Sequence, residues 1–424
     1  MGILRDILAR RGSGGPLGLP SFCTANPLVL EAVLGYCARH NLPALVEATA
    51  NQVNQFGGYT GMKPQDFAAF VRDLARKSGL PEGQLILGGD HLGPLTWASE
   101  PEASAMEKGE ALVALYAAAG FGKLHLDTSM RLGDDDPAVP LPVAVAARRG
   151  ARLARAALNA WRGTEPPAFI IGSEVPIPGG ASGEEDDLSP TTPEALDEAI
   201  TAYRAAFEAA DIADAWPLVA AVVVQPGVEF SGTGIHPYDS AKAAPLMAAL
   251  GQYEGLVFEG HSTDYQPLPC LRAMAQDGVA LLKVGPEVTL TLREALFALS
   301  FMEDALSPDE PSRFRQTLEA AMVQNPAHWR GHYGGSADAQ ALQRQYSLSD
   351  RCRYYMAEPE VKAAQARLLR NIDAGAPPMG LVRQFLPLAA PELTPGDALP
   401  PARELVIRHV ESAVLRRYFG AVTA

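Results

Sequence analysis

Residues 84–94 read Gln84-Leu-Ile-Leu-Gly-Gly-Asp90-His91-Leu-Gly-Pro94. A short apolar run breaks off into two glycines, an acid and a histidine. Uninterrupted runs of this length, bounded by Gly and Pro, are the pattern of strands buried on both faces of a parallel sheet. Residues 256–264, Leu-Val-Phe-Glu259-Gly-His261-Ser262-Thr263-Asp264, repeat it. Four more runs end the same way: Leu-Val-Glu47-Ala-Thr49, Leu-His125-Leu-Asp127, Ile-Ile-Gly-Ser173-Glu174 and Val-Val-Val-Gln225. Polar side chains collected at the C-terminal ends of parallel strands are how a barrel enzyme builds its mouth.

Working outward, strand-like and helix-like stretches alternate from residue 17 to about residue 306. Strands are predicted over 17–23, 43–49, 84–89, 123–128, 168–174, 219–225, 255–261 and 279–285. Between them lie segments of helical length such as Pro27–His40, Pro64–Ser78, Glu102–Ala119 and Thr192–Ala210. Many open with Pro or an acid and close near Gly, as helix ends require. Eight such units predict an α/β fold, a (β/α)8 TIM barrel, over 1–306. A doubly wound open sheet is the alternative; it usually carries a Gly-rich phosphate turn, and none stands where a strand meets a helix. Beyond residue 307 the strand pattern stops. Residues 307–424 read as a helical C-terminal extension packed on the barrel and available for an oligomer contact, with helices Arg313–Gln324, Pro359–Asp373 and Arg403–Tyr418. Pro176–Pro190, after the fifth strand, is a long polar loop of the kind that forms lids.

The chain of 424 residues is 47% hydrophobic and 20% charged, with a net charge of −14. That balance argues against a general nucleic-acid binder, which needs a basic face. Its four cysteines form no C-x-x-C pair and read as reduced thiols, hence a cytoplasmic location. The charged N-terminus lacks the apolar core of a signal peptide, and no apolar run approaches the roughly 18–20 residues of a membrane span.

Asp90 and His91 carry the first chemical expectation. A neutral imidazole suits zinc, cobalt or manganese, and the adjacent carboxylate can move a proton on a substrate held there. His261 is the partner expected for His91 as a second metal ligand. Glu174 and Asp127, at the ends of strands five and four, are read as metal ligands or sugar binders, with Glu174 set beside Asp90 among the catalytic candidates. Gln225 is a weaker ligand or a hydroxyl partner. His125, two residues before Asp127 on the same face, reads as a hydrogen-bonded interior histidine, and His236 as exposed. Glu47, Asn51 and Gln55 open an amide-rich stretch suited to a polyhydroxylated ligand. Ser262, Thr263 and Asp264 offer hydroxyls and backbone N–H groups to a phosphate or a sugar. Lys283 can form a Schiff base with a ketose, bind phosphate or make a salt bridge; the neighbouring acids and histidines favour metal chemistry over the Schiff base.

The runs CTANPLVLEA, EATANQVNQFGGYTGM, ILGGDHLGP, HLDTSM, IGSEVPIPGGA, VVQPGVEF, FEGHSTDYQ, LKVGPEVTLTLREALF and YSLSDRCRYY closely resemble the GatZ/KbaZ family, over nearly the whole chain. This is the second-subunit family of class II tagatose-1,6-bisphosphate aldolases. The resemblance implies a barrel related to the zinc aldolases, in which Asp90 and His91 match the proton-transfer and metal pair and His261 the late-strand metal histidine. Gln225 stands where those aldolases have a further metal histidine. It also implies a ketose or ketose phosphate substrate in tagatose or galactitol-type metabolism, and a catalytic aldolase subunit as partner. Three roles follow as alternatives: an aldolase subunit with a metal-capable pocket, a stand-alone ketose 4-epimerase, or a non-catalytic scaffold. Under the first two, His91, His261 and one of Glu174, Asp127 or Gln225 hold the metal, zinc before manganese or cobalt, and Asp90 takes the C4 hydroxyl proton.

Overall fold

Eight parallel strands close on themselves: β1 (Leu19–Cys23), β2 (Ala44–Thr49), β3 (Leu85–Leu92), β4 (Lys123–Leu126), β5 (Ala168–Ile171), β6 (Val219–Val224), β7 (Val257–Gly260) and β8 (Val279–Val284). Each strand pairs with its sequence neighbour, and β8 pairs back to β1, giving the (β/α)8 barrel. All eight lie where the apolar runs place them. This is a computed structural model; it describes residues 2–11, 15–172, 188–390, 393–394 and 396–423.

The helices start where their caps put them. Asn26 accepts the N–H groups of Leu28 and Val29 at the head of helix Pro27–His40, and Thr192 that of Ala195 ahead of helix Pro193–Ala209. Each such cap contributes about 1 kcal/mol. Both have proline in the first turn, where its missing N–H costs nothing.

The N-terminal segment, charged in sequence, forms helix Ile3–Ala9. Leu4 is buried with Leu19, Leu45, Ile86, Ala168, Val257 and Ala280, and Ile3, Ile7 and Leu8 pack on them. Those partners sit at the N-terminal ends of their strands. The helix therefore closes the barrel bottom and leaves the other end as the mouth.

After helix Pro286–Leu306 the chain continues through helices Phe314–Gln324, Ala337–Tyr346, Pro359–Gly375 and Met379–Phe385. The last helical stretch runs Ala402–Val410, widens to a π turn at Glu411–Leu415 and ends as Arg416–Val422. It packs against helices Pro27–His40 and Leu268–Asp277 and against β1, and the Leu17 N–H donates to the Val422 carbonyl at 2.7 Å. One apolar core runs from Phe22 through to Val422. Among the described residues, no helix is long and apolar enough to cross a membrane.

Candidate active site

The register breaks between Gly89 and Leu92 where β3 leaves β4, and His91 has φ 46°. A non-glycine residue in that region stores about 1–3 kcal/mol of strain. A bulge re-aims side chains. The bulge brings Asp90 and His91, adjacent in the chain, into one cluster. The paired glycines before them have a steric cause. A Cβ on Gly88 would stand 2.7 Å from Glu47 Cγ, so the barrel interior has room for the Glu47 side chain only beside a glycine.

Below the mouth, charged side chains fill the barrel. Lys123, wholly buried, lies 2.6 Å from Glu47 Oε1 and 2.7 Å from Glu259 Oε2. Lys283 pairs with Glu47 and lies 2.9 Å from Asp90 Oδ2. Asp90 Oδ1 contacts His125 Nδ1 at 2.9 Å and accepts the His91 N–H at 3.0 Å. His261 Nε2 is 2.9 Å from Glu259 Oε1, and His91 Nδ1 is 2.8 Å from Asp127 Oδ2. Asp127 is itself fixed by the Ser129 N–H and hydroxyl at 3.1 and 2.7 Å.

Four buried carboxylates, Glu47, Asp90, Asp127 and Glu259, thus face two ammonium groups, Lys123 and Lys283, and the His91 ring, where burial opposes a proton but Asp90 and the hydrogen bond to Asp127 favour one. A buried charge excess of this kind is costly unless a further cation or proton offsets it. Burial drives His261 down to about 3, so it is a neutral imidazole. Burial alone would raise Asp90, but His91, Lys283 and the hydrogen bond from His125 outweigh it and hold the carboxyl well below the usual range. Burial likewise disfavours the Lys283 charge, yet Asp90 and Glu47 push that group well above an ordinary lysine. Lys283 is thus held as an ammonium between two carboxylates, a setting that disfavours the free amine a Schiff base needs.

Asp90, His125, Glu259 and His261 each offer a ligand atom, all within 4.8 Å of one another. The rings of His91, His125 and His261 lie 4.9–5.1 Å apart, centre to centre. His125 Nε2 is buried with no hydrogen-bond partner. An orphaned imidazole nitrogen beside excess carboxylate charge fits a divalent cation with nitrogen and oxygen ligands. The cluster is compatible with a metal site.

The expected residues distribute unevenly around it. Asp90, His91, His261, Ser262, Asp264, Lys283 and Asn51 line a cavity at the mouth, and Glu47 lies beneath its floor. Asp127 orients His91. His125 is hydrogen bonded in the interior, as expected, and also joins the cluster. Gln225 does not reach it: its Oε1 accepts the N–H groups of Gly227 and Val228 at 2.8 and 2.9 Å, folding the turn after β6. Gln55 donates to the Lys108 carbonyl, away from the cavity. The Thr263 hydroxyl donates to the Lys283 carbonyl at 2.6 Å, tying β7 to β8. Glu174 and all but the last three residues of the lid expected over Pro176–Pro190 lie outside the described residues.

Thr49, Gln52 and Tyr59 of the amide-rich stretch also line the cavity, and sequence reasoning missed Cys23, Phe230, Arg353 and Tyr354, which join them. Arg353 and Tyr354 arrive from the C-terminal region. Asp350 anchors their segment to helix Pro286–Leu306 through Arg293 at 3.0 Å and Thr289 at 2.7 Å. The only sequence signal was the run Ser-Asp-Arg-Cys-Arg-Tyr-Tyr, polar and aromatic where the neighbouring segments are amphipathic.

Asp127→Asn is expected to weaken divalent-cation affinity about 10–100-fold, since a carboxylate behind a metal-site histidine fixes its ring and raises its basicity. Titration against a competing chelator reads this directly; unchanged affinity would show that His91 needs no such support.

Known proteins agree with the fold and extend it. The chain matches the model of the family described as D-tagatose-1,6-bisphosphate aldolase subunit GatZ/KbaZ-like over residues 4–423. It is similar to a crystal structure of a probable tagatose 6 phosphate kinase from Sinorhizobium meliloti 1021, at 45% identity and TM-score 0.87, over 95% of this chain and 100% of that one. The YdjI aldolase from Escherichia coli K12 (12% identity, TM-score 0.40, 90% of this chain and 99% of that one) and the fructose-bisphosphate aldolase from Campylobacter jejuni (14%, 0.43, 88% and 92%) are too distant to inform the site. With the match running from helix Ile3–Ala9 to the end of the last helix, the chain belongs to the GatZ/KbaZ-like family of D-tagatose-1,6-bisphosphate aldolase subunits.

Proposed function

We propose that this chain is an aldolase-type subunit that performs retro-aldol chemistry on a ketose at its own mouth. The observation that carries this is the buried excess of carboxylate around His91, His125 and His261, directly under a cavity lined by hydroxyl, amide and charged groups. A chain serving only as a scaffold gains nothing from that arrangement, because well-packed apolar groups would be as stable or more so.

A divalent cation bound there, zinc before manganese or cobalt, supplies Lewis-acid polarisation of the ketose carbonyl. The cluster Asp90, His125, Glu259 and His261, with His91 beside it, would hold it. Asp90, kept ionised by Lys283, takes the C4 hydroxyl proton. As the C4 oxygen forms a carbonyl, the C3–C4 bond breaks and its electron pair moves toward C2. Asp127 keeps the His91 ring in place through this step. Release of the fragments is aldol cleavage. Rotation of the aldehyde before the bond closes again is epimerisation at C4. The aromatic walls Tyr59, Tyr354 and Phe230 favour that second reading, since they would restrain a fragment between the two half-reactions.

The family description supports work beside a second, catalytic aldolase chain in tagatose or galactitol-type metabolism, and the four free cysteines suit a cytoplasmic setting. Nucleotide-dependent phosphoryl transfer would call for a phosphate cradle of the Gly-rich kind, which the sequence lacks.

The test uses the purified chain, stripped of metal and resupplied with zinc, manganese or cobalt. Tagatose-1,6-bisphosphate cleavage and fructose–tagatose interconversion are followed side by side. Turnover should return with metal and be absent in His91→Ala. Activity that appears only when a catalytic aldolase subunit is added, and is indifferent to His91→Ala, would make the chain a scaffold.

A further inference from the structure

In (β/α)8 enzymes a substrate phosphate is frequently seated by the loops after strands seven and eight and a helix N-terminus nearby, where free backbone N–H groups point at the anion. Here that corner is built from His261–Asp264 after β7 and from Gly285, Pro286 and Glu287 at the head of helix Pro286–Leu306. Its helix-end donors are already used. The N–H groups of Gly285 and Glu287 both donate to Asp264 Oδ1, at 3.0 and 2.8 Å. Pro286 has no N–H. The Tyr265 N–H donates to Glu287 Oε2 at 2.7 Å, and Glu287 pairs with Arg417. Asp264 is buried yet lines the cavity.

We infer that Asp264 is a specificity-determining residue, an internal carboxyl filling the phosphate seat, so that the ketose end placed at this corner carries a hydroxyl and the substrate bears at most one phosphate. The reading of the mouth as a ketose site comes from the proposed function; the filled seat does not depend on it.

Two observations point the same way. Charged or protonated, the Asp264 carboxyl occupies the space and both donors. And of the cationic groups lining the cavity, Lys283 is committed to Glu47 and Asp90 and His91 to Asp127, which leaves Arg353, itself donating to the Ser349 and Asp350 carbonyls. A bisphosphate brings roughly −3 to −4 of charge, at −1.5 to −2 per group. One arginine beside Asp90 and Asp264 is a poor match for that, and an adequate match for a single phosphate.

The test has two arms, with Asp264→Gly emptying the seat and Asp264→Asn keeping it filled without the charge. In the first, inorganic phosphate is titrated while the Gly285 and Glu287 amide resonances are followed. Both should stay unmoved in the wild type and in Asp264→Asn, and shift saturably in Asp264→Gly with affinity at least tenfold tighter. In the second, kcat/KM is compared for tagatose-1,6-bisphosphate, for a tagatose monophosphate and for tagatose. The wild type should prefer the ketose without the second phosphate, and the ratio should move at least tenfold toward the bisphosphate in Asp264→Gly. Saturable phosphate binding at those amides in the wild type overturns the inference, and so does a wild-type preference for the bisphosphate. If no ketose is turned over by any variant, the proposed function fails and the amide titration still decides the seat. Should Asp264→Gly not fold, the wild-type titration decides it alone.

Discussion

Replacing Asp90 with asparagine is expected to lower kcat by about 10²–10⁴-fold, the usual contribution of a positioned general base. The substitution is nearly isosteric. The amide oxygen can still accept the His91 N–H and meet His125 Nδ1, so the bulge at His91 should survive. What is lost is the negative charge facing Lys283 and the capacity to take a proton. Because His91, Lys283 and His125 hold the Asp90 carboxyl well below the ordinary range despite its burial, it is ionised throughout the neutral region. The wild-type kcat should therefore show no acid limb at an ordinary carboxylate pKa. A limb from Asp90 belongs at lower pH, where the group finally protonates. The decisive measurement is kcat of the variant at saturating metal and ketose, with the thermal midpoint taken alongside. A fall of less than about tenfold with an intact fold would remove Asp90 from the base role and leave it as a ligand, since even a weak general base supplies about 10²-fold.

How much of this was legible follows from what each residue answers to. The eight strands were readable because a strand buried on both faces must be apolar along its whole length, and Val219–Val224 or Leu85–Leu87 admits no other reading. Strand ends were readable for the converse reason: a polar group can follow such a run only where the barrel opens. Lys123 was hidden by the same rule. It opens β4 as an apparent boundary residue, yet it shares a strand face with His125 and points inward as the counterion of Glu47 and Glu259. Gln225 looked like a strand-end ligand, but its side chain serves the local turn, and no spacing rule separates these roles. Arg353 and Tyr354 could not be placed at all. Their position depends on the tertiary contact of Asp350 with Arg293 and Thr289, far from any strand end. Helix Ile3–Ala9 was obscured by Arg5 and Asp6, which stand between the apolar positions that plug the barrel bottom.

Lys123→Met tests the electrostatic premise beneath the cation site. The ammonium is wholly buried between Glu47 Oε1 at 2.6 Å and Glu259 Oε2 at 2.7 Å. Methionine has similar length and packs well in irregular cores, so cavity formation is a minor cost. The charge is the issue. Removing one partner of a buried ion pair leaves uncompensated charge and typically costs about 3–5 kcal/mol, whereas replacing all partners by neutral groups is often harmless. The single variant should accordingly lose about 3–5 kcal/mol of unfolding free energy in urea, read as a lower midpoint at unchanged slope. The triple change Glu47→Gln, Lys123→Met and Glu259→Gln should recover much of that loss, although Lys283 then keeps only Asp90 as a partner. Burial opposes the Glu259 charge, but Lys123 and the hydrogen bond to His261 hold its pKa below the usual range, so removing Lys123 should raise it. The penalty should then shrink as pH falls, because a protonated Glu259 no longer needs its counterion. A loss under about 1 kcal/mol at neutral pH would mean that one of the two carboxyls already carries a proton, against the cost expected for an ionised pair. The barrel would then bury less negative charge than its composition implies, and the case for a divalent cation beside His125 and His261 would rest on the orphaned imidazole nitrogen alone.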